Sequence, residues 1–383
     1  MNQSGHTIAY DSGVDILNYR GHVPLLEALE LTEEQVPEVL SQVDEDPYHA
    51  AGHMYFEFTV GSIALMANAI LFLIMRRHRK QLPSLVFILQ LAMSVDIFLS
   101  MATMACQPVI NVTYGYFACY CGNAFLPNNI GLRSVLMVMQ GTGIMSTVIW
   151  LPIQFAYRYH YVVQGQPPSV KRQSVYFFFS LSGFFAVMYI MSEMHKPNPT
   201  FRELARLLFY VDGWGTRADQ DFMGGGIGEL RVWMFGGYNA MTTTVAYGFV
   251  IMLELKIMKA LNEMQKGRLL KEAIDINRAL TALALVPLLT AVFPIMLYMM
   301  TMFACIDPGQ VMINATFTLS LPPVLNPITT IALIKPYRRT FLRWSRLKHV
   351  IPIKVSTVSS DYTTTKNTPN TKTSKQRGNK EVF

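Results

Sequence analysis

The sequence predicts an all-α membrane protein: a bundle of seven transmembrane helices with a short amphipathic helix after the last span. Three observations predict it. Seven apolar stretches are each long enough to cross a hydrocarbon core, which takes roughly 20 helical residues. Apolar residues make up 51% of the 383-residue chain and charged residues only 15%, below the roughly 25% of a soluble domain. The charges that remain are segregated. Residues 1–53 hold ten Asp/Glu and one Arg, whereas residues 334–383 hold twelve Lys/Arg and two acids. A net charge of +7 divided in this way marks membrane orientation and gives no sign of nucleic-acid binding.

The spans follow in order. The first covers Met54–Met75 and stops at Arg76-Arg77-His78-Arg79-Lys80. Residues 1–20 lack a basic start and an apolar centre, so this span is expected to act as an uncleaved signal-anchor. The second covers Leu82–Met104. The third covers Ile130–Tyr157 and ends at Arg158. The fourth, Ser174–Met191, is short and follows Pro167-Pro168. The fifth covers Val232–Leu253, before a basic stretch from Lys256 to Arg278. The sixth covers Ala279–Phe303 and the seventh Val311–Ile334. The basic clusters then fall on one side of an alternating path, the cytoplasmic side, with the amino terminus outside. The expected divisions are an acidic exported segment (1–53), the transmembrane domain (54–334), a membrane-surface helix (335–348) and a disordered tail (349–383), too poor in apolar residues to fold. In Lys335–Lys348, Tyr337, Phe341, Leu342, Trp344 and Leu347 alternate with arginines, as in a helix lying on the inner leaflet. Thr32-Glu33-Glu34-Gln35 could open a short helix as a capping box. The segment His195–Leu230 reads as a long, glycine-rich outer loop.

Polar residues inside spans are costly, and face the bundle interior or a wet cavity. Asn68 lies midway in the first span and Asp96 midway in the second. Asp96 could hold a cation such as sodium, relay a proton, or hydrogen-bond as a neutral acid. Asn68, Asp96 and Asn326 could equally join three helices together. The seventh span breaks at Leu321-Pro322-Pro323-Val324-Leu325-Asn326-Pro327, a natural hinge because proline removes a backbone donor. Pro152, Pro287 and Pro294 add hinges in the third and sixth spans.

Asn68, Asp96, Arg158 and Asn326-Pro327, each at its depth in its span, resemble the rhodopsin-like receptors that couple to G proteins. Tyr157-Arg158-Tyr159 and the closing string Asn326-Pro327-Ile328-Thr329-Thr330-Ile331 with Lys335-Pro336-Tyr337-Arg338-Arg339 are similar to the nematode serpentine chemoreceptors, the Srd group in particular. The resemblance implies a sensory receptor for environmental or pheromone-like small molecules, at the plasma membrane or the sensory cilium. It also implies a heterotrimeric G protein as partner, contacted through Arg158, Tyr157 and Tyr159. Asn68, Asp96, Asn326 and Pro327 would form the polar relay. Gln140 and Asn239 are polar and intramembrane on helices that would line a ligand cavity, although interhelical glue suits each of them too. Three departures stand out. Tyr157 replaces the acidic residue usual before the arginine, so the usual ion lock is missing. Ile331 replaces a tyrosine, and Val292 a tryptophan before Pro294.

All four cysteines, Cys106, Cys119, Cys121 and Cys305, fall on the expected outer side, where disulfides form. Four cysteines permit three full pairings; His195–Leu230 has no cysteine, so one before the third span (Cys119 or Cys121) is expected to join Cys305, and Cys106 could equally stand unpaired. Asn111-Val112-Thr113 and Asn2-Gln3-Ser4 are glycosylation sequons on the outer side; Asn314-Ala315-Thr316 matches but falls within the last span. The pattern of an enzyme is missing: no clustered catalytic side chains, no phosphate-binding glycine loop, no His-Glu-x-x-His or Cys-x-x-Cys metal pair, and no lysine in the last span for a retinal Schiff base. A transporter or channel using Asp96 as its ion site is the alternative, but no repeat relates the two halves.

Overall fold

The computed structural model describes residues 47–78, 83–164, 168–197, 201–211, 214, 216, 220–263, 277, 281–306 and 308–344. Their helices are α1 (Pro47–His78), α2 (Pro83–Cys106), α3 (Ile130–Val163), α4 (Val170–Met194), α5 (Arg202–Val211), α6 (Leu230–Glu263), α7 (Phe293–Ala304), α8 (Val311–Leu319), α9 (Pro322–Leu333) and α10 (Lys335–Trp344). The strands are β1 (Pro108–Thr113), β2 (Tyr116–Cys121) and β3 (Met223–Gly226). Among the described residues, five helices are long and apolar enough to cross a membrane: Ala51–His78, Ile88–Cys106, Ile130–Val163, Lys171–Met194 and Thr281–Ala304. The remaining two expected spans are α6, more polar but 34 residues long, and the seventh, divided into α8 and α9. Helix α1 starts at Pro47, earlier than expected, so residues 47–53 extend the first helix instead of closing the acidic head. The capping-box residues 32–35, Asn2, residues 345–348 and the tail lie outside the described residues.

Proline sets both irregular helices. The sixth span passes through a π-turn at Leu288–Val292, where the Phe293 N–H donates back to Leu288 O. Pro294 has no N–H with which to continue an α ladder, and the register slips there. In the seventh span Pro322 and Pro323 remove two successive donors, and α8 ends at Leu319 with Ser320 as its cap.

The described part of the loop His195–Leu230 holds more regular structure than its composition suggests. It contributes α5 and β3 to a cap around an antiparallel sheet of order β1-β2-β3. Every residue of the three strands is buried, since the sheet is covered on both faces. The strand period of two separates these faces. Ile110, Val112, Phe117, Cys119 and Cys121 point into the main bundle core, among Met137, Phe235, Met302 and Met312. Val109, Tyr116, Ala118 and Tyr120 point the other way, onto Leu204, Leu208 and Phe209 of α5 and onto Trp214. The Trp214 indole donates to the Tyr120 hydroxyl at 2.8 Å. Gly224 makes the third strand possible: it holds φ at +139°, and a Cβ there would sit 2.0 Å from Phe117 O. The run Gly224-Gly225-Gly226 is thus a strand pressed edge-on against β2.

At the opposite end, α10 turns back against α1. Tyr337 is buried among Leu71, Ile74, Met75 and Ile334, and His78 Nε2 lies 2.9 Å from Thr340 Oγ1. The amphipathic helix after the last span is present over Lys335–Trp344.

Candidate functional site

Two polar assemblies lie in the half of the bundle away from the sheet. The first joins α1, α2 and α9. Pro327 cannot donate to Pro323 O, its partner four residues back. Asn68 takes that carbonyl instead: its Nδ2 donates to Pro323 O at 3.1 Å and to Ala64 O at 2.9 Å. One turn on, Asn326 Nδ2 donates to Asp96 Oδ1 at 2.8 Å. Thr330 Oγ1 donates to Asn326 O, and Ser100 Oγ to Asp96 O. Asn68 and Asp96 are buried, and Asn68 Oδ1 and Asn326 Oδ1 have no hydrogen-bond partner. Of the four residues expected to form a relay, Asp96 and Asn326 bond to each other directly, while Asn68 ties the carbonyl that Pro327 leaves open, about one turn away.

Beside them is a cavity of about 30 Å³, lined by Asp96, Asn326, Thr147, Trp150, Pro287 and Pro327 among others. That volume suits one water or a small ion and is far below the several hundred Å³ of an organic-ligand pocket. The lining fits a cation in chemistry, with a carboxylate, the unpartnered amide oxygen of Asn326 and a threonine hydroxyl on hand.

The second assembly joins α3, α6 and the sixth span. Arg158 is 3% exposed. Its Nη1 lies 3.4 Å from Glu254 Oε2, while Nε and Nη2 are buried without a partner. The other oxygen, Glu254 Oε1, accepts from Asn277 Nδ2 at 2.6 Å and from Thr281 Oγ1 at 3.0 Å. Tyr247 adds a further tie from α6, its hydroxyl donating to Ala284 O at 3.1 Å. The usual lock, with an acid directly before the arginine, is missing as the sequence indicates. The residue before Arg158 is indeed Tyr157, but a carboxylate from another helix takes the acid's place. Sequence spacing could not reveal it, because Glu254 lies 96 residues away and resembles any acid at a basic membrane edge. Arg158 packs over Phe155, 5.9 Å from its ring centroid, and Lys256 stands 6.0 Å from that of Tyr159. Tyr157 is buried. In this arrangement neither Arg158 nor Tyr157 is available to a partner; among the three expected contact residues only Tyr159 is part-exposed.

Gln140 and Asn239 are each 2% exposed and do not line the cavity at Asp96. Asn239 Nδ2 donates to Phe235 O on its own helix, leaving Oδ1 without a partner, as is Gln140 Nε2.

The cysteines and sequons need correcting too. The four cysteines stand as thiols in the structure, and neither Cys119 nor Cys121 is directed at Cys305, the partner expected for them. Cys119 Sγ is directed at Met223 O across the sheet, and Cys305 Sγ at Met302 O in its own helix. Asn111 stands in the middle of β1, 1% exposed, with Nδ2 donating to Leu208 O at 3.1 Å. A glycan at that nitrogen would require the sheet to part from α5, so Asn111 is a packing residue of the cap.

No curated protein matches the chain. The sequence model of the serpentine type 7TM GPCR chemoreceptor family Srd matches residues 53–343, a stretch that holds both polar assemblies and the cap. The chain belongs to the Srd serpentine chemoreceptors, seven-transmembrane proteins of the G-protein-coupled receptor class.

Proposed function

We propose that the protein binds a small environmental or pheromone-like molecule at the sheet end, which faces outward with the amino terminus, and activates a heterotrimeric G protein at the Arg158 end. The buried Arg158–Glu254 contact carries this reading. A guanidinium held under the membrane surface with two unsatisfied donors is a poor place to leave a cation. It makes sense as one state of a pair, in which parting of α3 from α6 releases Arg158 toward a partner. A ligand drives that change only by its differential affinity for the two states. Gln140 and Asn239, with an unpartnered donor and an unpartnered acceptor, are the polar groups we assign to the ligand once it displaces apolar side chains around them. The cavity at Asp96 would hold sodium in the closed state and stabilise it. Plasma membrane or sensory cilium is the expected location.

The test is GTPγS exchange by the purified full-length chain with a reconstituted G protein, set against ion flux in liposomes. Ligand-dependent exchange without flux supports the receptor reading. Flux without exchange would favour the alternative, a transporter or channel that uses Asp96 as its ion site. Tags at the two termini, probed on unpermeabilised cells, test the orientation.

A further inference from the structure

Two cysteines hold the foot of the cap. Cys106 is the last residue of α2 and Cys121 the last of β2. The chain turns from helix to strand at Gln107, which takes a left-handed φ of 51°, so that Pro108 pairs with Cys121. The Gly122 N–H then donates to Gln107 O at 3.0 Å and closes the same end of the ladder. This folding back brings the two side chains together. Cys121 Sγ lies 2.9 Å from Cys106 O. Both residues are buried. The other two cysteines are engaged elsewhere, Cys119 toward Met223 O and Cys305 toward Met302 O.

We propose that Cys106 and Cys121 form a disulfide that staples the base of the β1–β2 hairpin to the end of α2. The inference rests on the outward placement of the sheet end argued above, since that compartment is oxidising. The roles follow from the surroundings. Cys121 is the nucleophile: the Cys106 thiol, then the Asn123 backbone and Arg133, hold its thiol below the usual range. Burial instead pushes the Cys119 thiol up. The oxidant is a disulfide of the secretory lumen, small or protein-borne. The Cys121 thiolate attacks one of its sulfurs and expels the other as a thiolate, giving a mixed disulfide. Cys106 gives up its proton, attacks the Cys121 sulfur and expels the second thiolate. Two protein thiols thereby lose two electrons and two protons, and one oxidant disulfide becomes two thiols. The exchange occurs while the hairpin docks, before Met137 Sδ closes over Cys106 Sγ at 3.0 Å.

The experiment uses the full chain expressed in eukaryotic cells, alkylated in denaturant with and without prior reduction, and mapped by peptide mass spectrometry. The expected result is one cross-linked species joining the Cys106 and Cys121 peptides, two hydrogens lighter than the reduced pair, with Cys119 and Cys305 alkylated. Free Cys106 and Cys121 in a chain whose tags place the sheet end outside overturns the disulfide, as does linkage of either to Cys119 or Cys305. Free thiols with the sheet end inside overturn the orientation and the disulfide together. Stability gives a second readout. Cys106→Ser, Cys121→Ser and the double variant should lower the thermal midpoint by one shared amount, and reductant should lower the wild-type midpoint likewise. A wild-type midpoint indifferent to reductant overturns the proposal even where a single variant fails to fold.

Discussion

Replacing Glu254 by Gln tests the closed state most directly. The amide keeps the volume and an oxygen for Asn277 and Thr281, and removes only the charge facing Arg158. At an effective dielectric of about 20, unit charges 3.4 Å apart attract by about 5 kcal/mol. That figure is an upper bound. Desolvation of Arg158, which is 3% exposed, offsets most of it, and 3.4 Å is longer than the roughly 2.8 Å of a strong charge-assisted bond. The difference between a charged and a neutral hydrogen bond, about 1.5 kcal/mol, is the better measure of what closure loses. Each 1.4 kcal/mol is about tenfold in an equilibrium constant. An open state populated near 1% would therefore rise to near 10%. Ligand-free GTPγS exchange should rise about tenfold in Glu254→Gln, and Arg158→Ala should reduce exchange in either background. Unchanged basal exchange in a variant that folds and reaches the surface normally would refute the reasoning, because the contact would then hold nothing closed.

Other consequences are tested separately. Asp96→Asn should abolish any effect of sodium on agonist affinity, read by radioligand binding in sodium and in a bulky organic cation. Asn111→Gln should leave the glycan mass unchanged yet lower the thermal midpoint by the equivalent of about 1 kcal/mol, through the lost bond to Leu208 O; Asn2→Gln should remove a glycan, seen as lost endoglycosidase sensitivity. Tyr298→Phe should cost about 1 kcal/mol in a thermal unfolding assay, since its buried hydroxyl donates to Met312 O at 3.1 Å and contacts Thr316. Burial lowers the His195 imidazole from 6.5 to about 4, so the stability it contributes is complete above pH 6.5 and is lost as pH falls from there toward 4; at pH 5 the loss is about 2 kcal/mol, and His195→Asn should shrink the difference in thermal midpoint between pH 7 and pH 5.

The spans were legible because a bilayer imposes length and hydropathy on each segment separately, and both can be read locally. The Asn68–Asp96–Asn326 assembly was legible for a related reason. A polar residue in lipid must find a partner: Asp96 and Asn326 find each other, and Asn68 takes a backbone carbonyl about one turn from them. Proline made the seventh-span break visible, and the carbonyl that Asn68 takes is the one Pro327 leaves vacant. The cap was hidden. Tyr116–Cys121 is apolar on both faces, because α5 covers one side and the bundle the other, so the alternation that marks a half-exposed strand is missing there, and the alternation Ile110-Asn111-Val112-Thr113 in Pro108–Thr113 is too short to stand out. The triple glycine read as loop because its role depends on the nearness of Phe117 O, more than a hundred residues earlier. Glu254 was missed for the same reason: its meaning comes from Arg158, and no local pattern carries a contact between helices.

The cap and the Arg158 assembly lie at opposite ends, and the packing between them limits how one can act on the other. Val112 and Phe117 of the sheet belong to the same continuous core as Val148 and Ile149 of α3, Ala246 of α6, and Ala291 and Val292 of the π-turn. A close-packed core does not deform smoothly, so displacement at the sheet face must be taken up where the backbone has a second arrangement. The π-turn is such a place. It sits after Pro287, which lines the cavity at Asp96, and it follows the segment whose Thr281 binds Glu254. Restoring α-helical register there would rotate Thr281 and Ala284 relative to α6, and both of α6's ties to the sixth span, at Glu254 and at Tyr247, would have to break or re-form. A ligand that only filled space beneath the sheet, leaving the π-turn as it is, would bind without signalling. Agonists and antagonists of this receptor should accordingly differ in the amide exchange of residues 288–292 more than in their affinity.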